Sequence, residues 1–386
     1  MTTDIVNLCD NGAHLPFGET GSGNYGMNLG SLDGKYTILL RTDEFLKLSK
    51  MVPFPNKASV YNIGDYGTAD GAASMRLLGK LIESLREHHG HDVQFQVIYE
   101  DQEINDFNSL FRRLSGLIPK PPSYLQDLEN VFALASGTHF YKQCVPADSM
   151  HIILCMAAVH WLSGKPPVNK DFIYCFPETE ADVRQSFEKQ ASEDWEKFLT
   201  IRSRELKKGG LLVVSAPSDN PTSTGGMKLC NENYLHMLNS TWKEFCDNGR
   251  ISKSEFVNTN LACFHKGLSL LKAPFENTSS NVSRSGLRLL SADVVTLPCE
   301  VYNEWKQRKE DEGVDDRAGY ARRFVSAHRC WSNSAFLAGL SGTRSKEEKE
   351  VIVSELYGRV ESIVGKMNPE LLKDDYTFSF VFITKD

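Results

Sequence analysis

The sequence lacks the features of a membrane protein, a secreted protein and a nucleic-acid-binding protein. No apolar run in its 386 residues approaches the roughly 20 residues that a membrane-spanning helix needs. The first residues, MTTDIVNLCDNG, show no basic start followed by an apolar stretch, so we expect no signal peptide. The net charge of −7 argues against nucleic acid, which requires a basic surface. We therefore expect neither a membrane nor a nucleic acid as partner.

Cysteine patterns that indicate disulfides or structural zinc are missing as well. The nine cysteines contain no Cys-x-x-Cys pair and no cysteine–histidine ligand spacing. An odd number of scattered thiols is typical of buried cysteines in the reducing cytosol. We expect a cytoplasmic protein without a metal, and 41% hydrophobic residues are enough for one large domain or a core with a cap.

What is present is a central stretch, residues 58–82, whose pattern predicts a strand at 58–63, a turn that holds Asp65, Gly67 and Gly71, and then a helix. An open α/β sheet presents its ligand at the carboxyl end of such a strand. Gly67 would let the backbone approach a ligand, because a Cβ there would clash, and Asp65 could face a cationic or amino-bearing ligand. The spacing Asp-x-Gly-x-x-x-Gly is not the dinucleotide fingerprint, so a plain strand-to-helix connection stays open.

The rest of the first half predicts a doubly wound sheet. A helix is expected at 35–51, before the central stretch. Residues 93–99 predict a second strand that leads to Asp101, placed either to bind ribose hydroxyls or in a solvated turn. Apolar runs and helical periodicity predict the other elements: strands at 131–135, 150–159 and 211–215, and a helix at 178–207. The order β-α-β-α-β-β-α-β is typical of an α/β fold with a parallel sheet.

Beyond residue 217 the periodicity becomes mainly helical. Residues 218–330 predict a helical cap, and helices return at 318–340 and 345–366. The last stretch, 376–384 (YTFSFVFIT), predicts a final antiparallel strand on the edge of the sheet.

Several motifs follow one another with the order and spacing of a known family. They are Asn24-Tyr25-x-Met27-Asn28, Asp65-x-Gly67-x-x-x-Gly71, Asp101 with Asn105-Asp106-Phe107-Asn108, His139-Phe140-Tyr141, His160-Trp161-Leu162-Ser163, and Arg202-x-x-Glu205-Leu206 with Gly209-Gly210. With these motifs the chain resembles the SABATH family of plant-type small-molecule carboxyl methyltransferases across residues 11–215. The closing strand fits the family too, whereas the cap is similar only loosely.

The resemblance implies S-adenosylmethionine (SAM) as methyl donor and a Rossmann-like methyltransferase core with a mainly helical cap over the acceptor site. The core would comprise residues 1–217 plus 345–386, and the cap, residues 218–344, would form the acceptor pocket. The implied enzyme is a carboxyl O-methyltransferase that acts on a small carboxylic acid by in-line displacement. A carboxylate is already ionised at neutral pH and needs no general base, which is consistent with the absence of a catalytic triad motif. A homodimer is the assembly that the resemblance implies.

The resemblance also implies residue roles on the donor side. Tyr25 would contact the methionyl side of the donor, Asp65 its amino end, and Asp101 the ribose hydroxyls. His139 and Phe140 would flank the adenine, with Phe140 stacked on it. Gly67 and Gln102 complete the expected donor-binding set.

On the acceptor side, Trp161 would donate its indole N–H to the acceptor carboxylate, with His160 beside it, and this pair would be the catalytic one. Tyr25, Leu32 and Tyr234 complete the expected substrate-binding set. Leu32 stands where the family has a glutamine that grips the carboxylate. With the apolar triplet Cys155-Met156-Ala157, this departure favours a longer, more lipophilic acid than salicylate, such as a fatty or terpenoid acid.

Other interpretations stay open from the sequence. Without the resemblance, Trp161 and His160 would be read as core residues. The acceptor could instead be a heterocycle nitrogen, since N-methylation of purine-like compounds also occurs in the family. A protein that binds SAM without catalysis is a further alternative, which Leu32 favours and the pair Asp65 and Asp101 opposes. Nicotinamide-dependent oxidoreduction is disfavoured by the glycine spacing.

Overall fold

The computed structural model describes residues 14–28, 41–55, 59–164, 169–218, 220–221, 227–228, 231–373 and 375–386. Its strands, in chain order, are β1 (Tyr61–Tyr66), β2 (Phe95–Asp101), β3 (Val131–Gly137), β4 (Met150–Met156), β5 (Leu206–Pro217), β6 (Asn220–Pro221), β7 (Met227–Lys228), β8 (Leu287–Leu297) and β9 (Tyr376–Lys385). A seven-stranded sheet has the order β3-β2-β1-β4-β5-β9-β8, and β6 pairs separately with β7.

Helices lie before, between and after these strands. They are α1 (Asn24–Asn28), α2 (Thr42–Lys50), α3 (Met75–His89), α4 (Phe107–Leu114), α5 (Ala181–Glu205), α6 (Glu232–Asp247), α7 (Lys253–Asn258), α8 (Leu268–Glu276), α9 (Asn281–Arg284), α10 (Glu300–Glu312), α11 (Arg317–Gly339) and α12 (Lys346–Lys366). Two short 3₁₀ helices, Tyr124–Gln126 and Pro369–Leu372, complete the set. The predicted helix at 35–51 is observed from Thr42, and residues 35–40 lie outside the described part.

The predicted order of the first half is confirmed. From β1 to β5 the chain runs β-α-β-α-β-β-α-β, and β1 pairs in parallel with β2 and β4. The apolar run that begins at Met150 forms the central strand β4, buried on both faces along almost its whole length. The strand predicted at 58–63 begins at Tyr61 and extends through Tyr66, so Asp65 lies on β1 rather than in the turn.

Two expectations for the second half were wrong in detail. The final strand β9 is antiparallel but lies inside the sheet, between β5 and β8, so β8 forms the edge. The strand β8 lies in the range predicted as the mainly helical cap, where its sequence, LRLLSADVVTL, gives no clean alternation of apolar and polar residues. Its side chains are mostly half-buried or exposed, as expected of an edge strand.

The long C-terminal helices pack on one another. α12 packs against the helices α11 and α6. Residues 346–366 thus contact helices of the predicted cap, although the prediction assigned them to the core. The division into a core of 1–217 plus 345–386 and a cap of 218–344 otherwise stays a prediction. Among the residues that the structure describes, no helix is long and apolar enough to cross a membrane.

Candidate active site at the carboxyl end of the sheet

A cavity of about 180 Å³ opens where the parallel strands end. Its lining comes from segments that follow β1, β2, β3 and β4, together with the N-terminal segment. It brings together seven of the residues predicted from the sequence: Tyr25, Gly67, Asp101, Gln102, His139, Phe140 and Trp161. The carboxyl edge of a doubly wound sheet is where such folds bind their ligands.

Asp101 ends β2 and brings a carboxylate to the cavity lining. It accepts hydrogen bonds from the backbone N–H of Ala69 at 2.7 Å and of Gln102 at 2.8 Å. Burial raises the pKa of Asp101 to about 6, although these two hydrogen bonds oppose the shift. The carboxylate is therefore ionised at neutral pH and suited to accept hydrogen bonds from a ligand's hydroxyl groups.

Gly67 follows β1 with a φ of +74°, a conformation that favours glycine. A Cβ at this position would lie 2.4 Å from the Cβ of Ala158, in the segment after β4. A Cβ at Gly67 would therefore clash as expected, but it would clash with the loop after β4 rather than with a ligand. The glycine lets the turns after β1 and β4 come together beside the cavity.

Asp65 lies beneath the cavity and is absent from its lining. Its Oδ2 accepts hydrogen bonds from Ser74 Oγ at 2.6 Å and Thr68 Oγ1 at 2.7 Å. Burial raises the pKa of Asp65, and these two hydrogen bonds oppose the shift. The observed contacts close the glycine turn, while the predicted contact with the donor's amino end stays a prediction.

The segment with His139 and Phe140 is held by the Arg202–Glu205 pair at the end of α5. Arg202 donates to the carbonyl oxygens of Phe140 at 2.7 Å and Lys142 at 2.8 Å. Glu205 accepts the backbone N–H of Cys144 at 2.6 Å, and its ion pair with Arg202 is fully buried. The Arg-x-x-Glu motif therefore fixes the wall of the cavity without lining it.

The N-terminal segment is tied to the core by two acidic side chains. Asp70 accepts the backbone N–H of Gly26 at 2.9 Å and forms a buried ion pair with Arg113 at 2.8 Å. Asp106, the N-cap of α4, accepts the backbone N–H of Gly21 at 3.0 Å. These contacts position α1, so that Tyr25 lines the cavity.

Trp161 also lines the cavity and stacks on His14. The two ring centroids are 4.1 Å apart, and the planes are tilted by only 7°. Burial lowers the pKa of His14 and keeps its ring neutral at physiological pH. His14 was not among the predicted site residues, because it lies in a glycine-rich stretch with no periodic pattern. Its backbone carbonyl also accepts a hydrogen bond from Gln102 Nε2 at 3.1 Å.

Two further predicted residues, His160 and Tyr234, do not line the described cavity. His160 packs its ring against Trp161 at 4.8 Å, with burial lowering its pKa well below the usual value. Tyr234 is buried on α6 against the ring of His328, with 4.2 Å between the centroids. Leu32 lies outside the described residues.

The donor end of the cavity fits the group that the resemblance implies. Asp101 offers a carboxylate for ribose hydroxyls, and the aromatic ring of Phe140 lies nearby for stacking on an adenine. These two residues come from two different strand ends, and Arg202 holds the loop with Phe140 in place.

Comparisons with known proteins show which proteins this chain resembles. Residues 44–334 match the family described as SAM-dependent carboxyl methyltransferase. Over 308 residues, 75% of this chain and 79% of the relative, the chain is 27% identical to loganic acid O-methyltransferase of Catharanthus roseus. Over 324 residues it is 32% identical to probable 7-methylxanthine methyltransferase 3 of Theobroma cacao, covering 80% and 78% of the two chains.

The fold has a counterpart among solved structures. The structure of a loganic acid methyltransferase with S-adenosylhomocysteine superposes with a TM-score of 0.70 at 20% identity, covering 97% of this chain and 99% of the other. The predicted methyltransferase-type α/β fold is thereby confirmed. The family match confirms the resemblance and the methyl donor: the chain belongs to the SAM-dependent carboxyl methyltransferases, a family of enzymes.

Proposed function

We propose that this enzyme transfers the methyl group of SAM to the carboxylate of a small, lipophilic acid and so forms a methyl ester. The observation that carries the proposal is the continuity of one cavity from Asp101 and Phe140 to Trp161. A donor held at the first end and an acceptor at the second would meet inside it. Residue roles within the cavity are part of the proposal.

At the donor end, Asp101 would accept the ribose hydroxyls and Phe140 would stack on the adenine. The backbone at Gly67 and the side chains of Gln102, His139 and Tyr25 would surround the rest of the molecule. When bound, SAM supplies a methyl group already activated by a positively charged sulfur. The residues of the chain therefore need only align it with the acceptor and exclude water.

At the acceptor end, Trp161 would donate its indole N–H to the carboxylate, with His160 behind it. The described lining includes the apolar side chains of Pro16, Ala157, Ala158, Trp161 and Leu162, together with the polar His14 and Ser163. An apolar wall favours an acid with a hydrocarbon body over a compact polar one.

A second candidate acceptor is a nitrogen atom of a heterocycle. One observation favours it: the relative from Theobroma cacao, 32% identical to this chain, is described as a probable methylxanthine methyltransferase. The first candidate is preferred because it requires no proton acceptor beside the methyl group, and burial keeps both His14 and His160 from accepting protons readily.

The test supplies SAM with a labelled methyl group together with salicylic acid, dodecanoic acid, farnesoic acid or 7-methylxanthine. Mass spectrometry of the extracted products identifies the acceptor, and treatment with base distinguishes an ester from an N-methyl product. We expect a base-labile product from dodecanoic or farnesoic acid. Activity confined to salicylic acid would contradict the lipophilic acceptor. A base-stable product would show that the methylated atom is a nitrogen rather than a carboxylate oxygen.

Two finer expectations stay predictions. Cytoplasmic localisation rests on the cysteine pattern of the sequence. A homodimer rests on the resemblance, and size-exclusion chromatography with light scattering would test it.

A further inference from the structure

The stack of His14 on Trp161 occupies part of the cavity. Both side chains line it, and their ring centroids are 4.1 Å apart with an angle of only 7° between the planes. Carbon atoms pack at about 3.5 Å, so a third ring inserted between two others would separate them by about 7 Å. No flat molecule can therefore lie on the face of Trp161 that His14 covers.

The place of the His14 ring follows from the main chain of its segment. Gln102 Nε2 donates to the carbonyl oxygen of His14 at 3.1 Å. Three residues further along, Phe17 N–H donates to the carbonyl oxygen of Cys330 on α11 at 3.0 Å. Both bonds use main-chain atoms of the segment, so a replacement of the imidazole should leave the segment in place.

Trp161 is also fixed through its main chain. Its N–H donates to the carbonyl oxygen of Ala158 at 3.1 Å, and its carbonyl oxygen accepts the Tyr141 hydroxyl at 2.7 Å. Cys263 pairs with it in an antiparallel β-bridge. The indole should therefore keep its place when the imidazole beside it is removed, and the face that was covered would then open into the cavity.

The imidazole of His14 contributes shape rather than charge. Burial lowers the pKa of His14 to about 3, so the ring is neutral at physiological pH. A neutral imidazole and a benzyl ring are both flat and can both stack on an indole. Phenylalanine should thus replace His14 in this contact, whereas alanine should leave the face of Trp161 uncovered.

We propose that His14 determines the shape of the acceptor: by covering one face of Trp161, it prevents a flat aromatic acid from stacking there and favours an acid with a non-planar hydrocarbon body. The inference rests on the proposed function and deepens it, because it adds a shape to the class of substrate. A non-planar acid does not need the face of an indole and can pack on the apolar side chains of Pro16, Ala158 and Leu162. A flat heterocycle is excluded from the covered face in the same way.

Two acids with the same carbon skeleton test the proposal. Benzoic acid is flat, whereas cyclohexanecarboxylic acid carries the same carboxylate on a puckered ring. Each acid competes with the lipophilic acid that wild type methylates fastest, at saturating labelled SAM, and its inhibition constant is measured. The readout is the ratio of the two affinities, flat over puckered, because a general loss of packing affects both acids and cancels in the ratio.

Three variants are compared with wild type. His14→Ala uncovers the face of Trp161, and His14→Phe keeps it covered. His236→Ala is the matched control, because His236 on α6 also stacks on an aromatic ring, that of Phe176, with 4.2 Å between the centroids and 13° between the planes. Neither residue of this second stack belongs to the described cavity lining.

We expect wild type to bind cyclohexanecarboxylic acid at least as tightly as benzoic acid. His14→Ala should raise the ratio of affinities, flat over puckered, by about 3- to 10-fold, because benzoic acid gains the contribution of one aromatic pair. His14→Phe and His236→Ala should both keep the ratio of wild type.

The remaining outcomes separate this inference from the proposed function. If wild type methylates a lipophilic acid and His14→Ala keeps the wild-type ratio, the proposed function stands and His14 only supports packing. An equal rise of the ratio in His14→Phe or in His236→Ala would also overturn the assignment. Tighter binding of benzoic acid by wild type would overturn it without any variant, even if His14→Ala does not fold. If wild type methylates none of the acids, the proposed function fails and this inference with it.

Discussion

At the scale of single residues, the site depends on a few groups whose ionisation is controlled by burial. Asp101 is ionised at neutral pH, although burial raises its pKa to about 6. Trp161 contributes a hydrogen-bond donor that does not titrate. Both residues line the cavity, and we propose that one binds the donor and the other the acceptor, so their substitutions should separate donor binding from acceptor binding.

The first prediction concerns the pH dependence of donor binding. A ribose hydroxyl binds the ionised form of Asp101, so the affinity for S-adenosylhomocysteine should fall as the pH drops below about 6, by up to ten-fold per pH unit. Calorimetry between pH 5 and 8 measures this slope. Asp101→Asn should bind more weakly and show no step near pH 6, and an identical step in the variant would exclude Asp101 as its cause.

The second prediction concerns Trp161. Trp161→Phe keeps an aromatic ring but removes the indole N–H, so kcat/KM for the acid should fall by ~10- to 100-fold, as for a lost hydrogen bond to a charged group. Affinity for S-adenosylhomocysteine should not change. Trp331→Phe, on α11 and outside the described cavity lining, is the control. An unchanged kcat/KM in Trp161→Phe would remove Trp161 from the acceptor site.

At the scale of elements, buried ion pairs hold the loops of the site and the helical layer together. Arg202 and Glu205 connect the end of α5 to the loop with His139 and Phe140. Glu255 on α7 binds Arg344 in the loop between α11 and α12, with 2.5 and 2.9 Å between their nitrogen and oxygen atoms. Each pair fixes an irregular segment that hydrophobic packing alone would leave less defined.

For Arg202 we predict a positioning role. Lys at this site cannot reach both carbonyl oxygens and the carboxylate, so Arg202→Lys should lower the free energy of unfolding by about 3 kcal/mol. It should also weaken S-adenosylhomocysteine binding, while kcat at saturating donor changes little. Arg204→Lys, exposed on the same helix, is the control. Lower stability without weaker binding would mean that the pair does not shape the donor site.

For Glu255 the prediction concerns stability. Hydrogen bonds from Arg344 lower the pKa of Glu255 to about 2, so its contribution is complete above pH 4.5 and is lost as the pH falls toward 2. Glu255→Gln should cost about 2 kcal/mol in urea unfolding at pH 7. Glu244→Gln, which breaks an exposed ion pair with Arg359, should cost less than about 1 kcal/mol. Equal losses of unfolding free energy would show that the Glu255–Arg344 pair stabilises the protein no more than the exposed Glu244–Arg359 pair.

At the scale of the whole molecule, those strands and site residues could be predicted that a local sequence pattern marks. The apolar run at Met150 marks the central strand, and Asp101 is found at the cavity because it ends a parallel strand. The edge strand β8 was missed, since a half-exposed strand lacks a clean periodic pattern. His14 was not predicted, because only the folded chain brings it beside Trp161.

The central claim is that the enzyme methylates a carboxylate. The most direct measurement is a competition in one tube, with limiting labelled SAM and equal concentrations of farnesoic acid, dodecanoic acid and 7-methylxanthine. We predict that most of the label appears in a methyl ester that base hydrolyses. Label found mainly in a base-stable N-methyl product would contradict it.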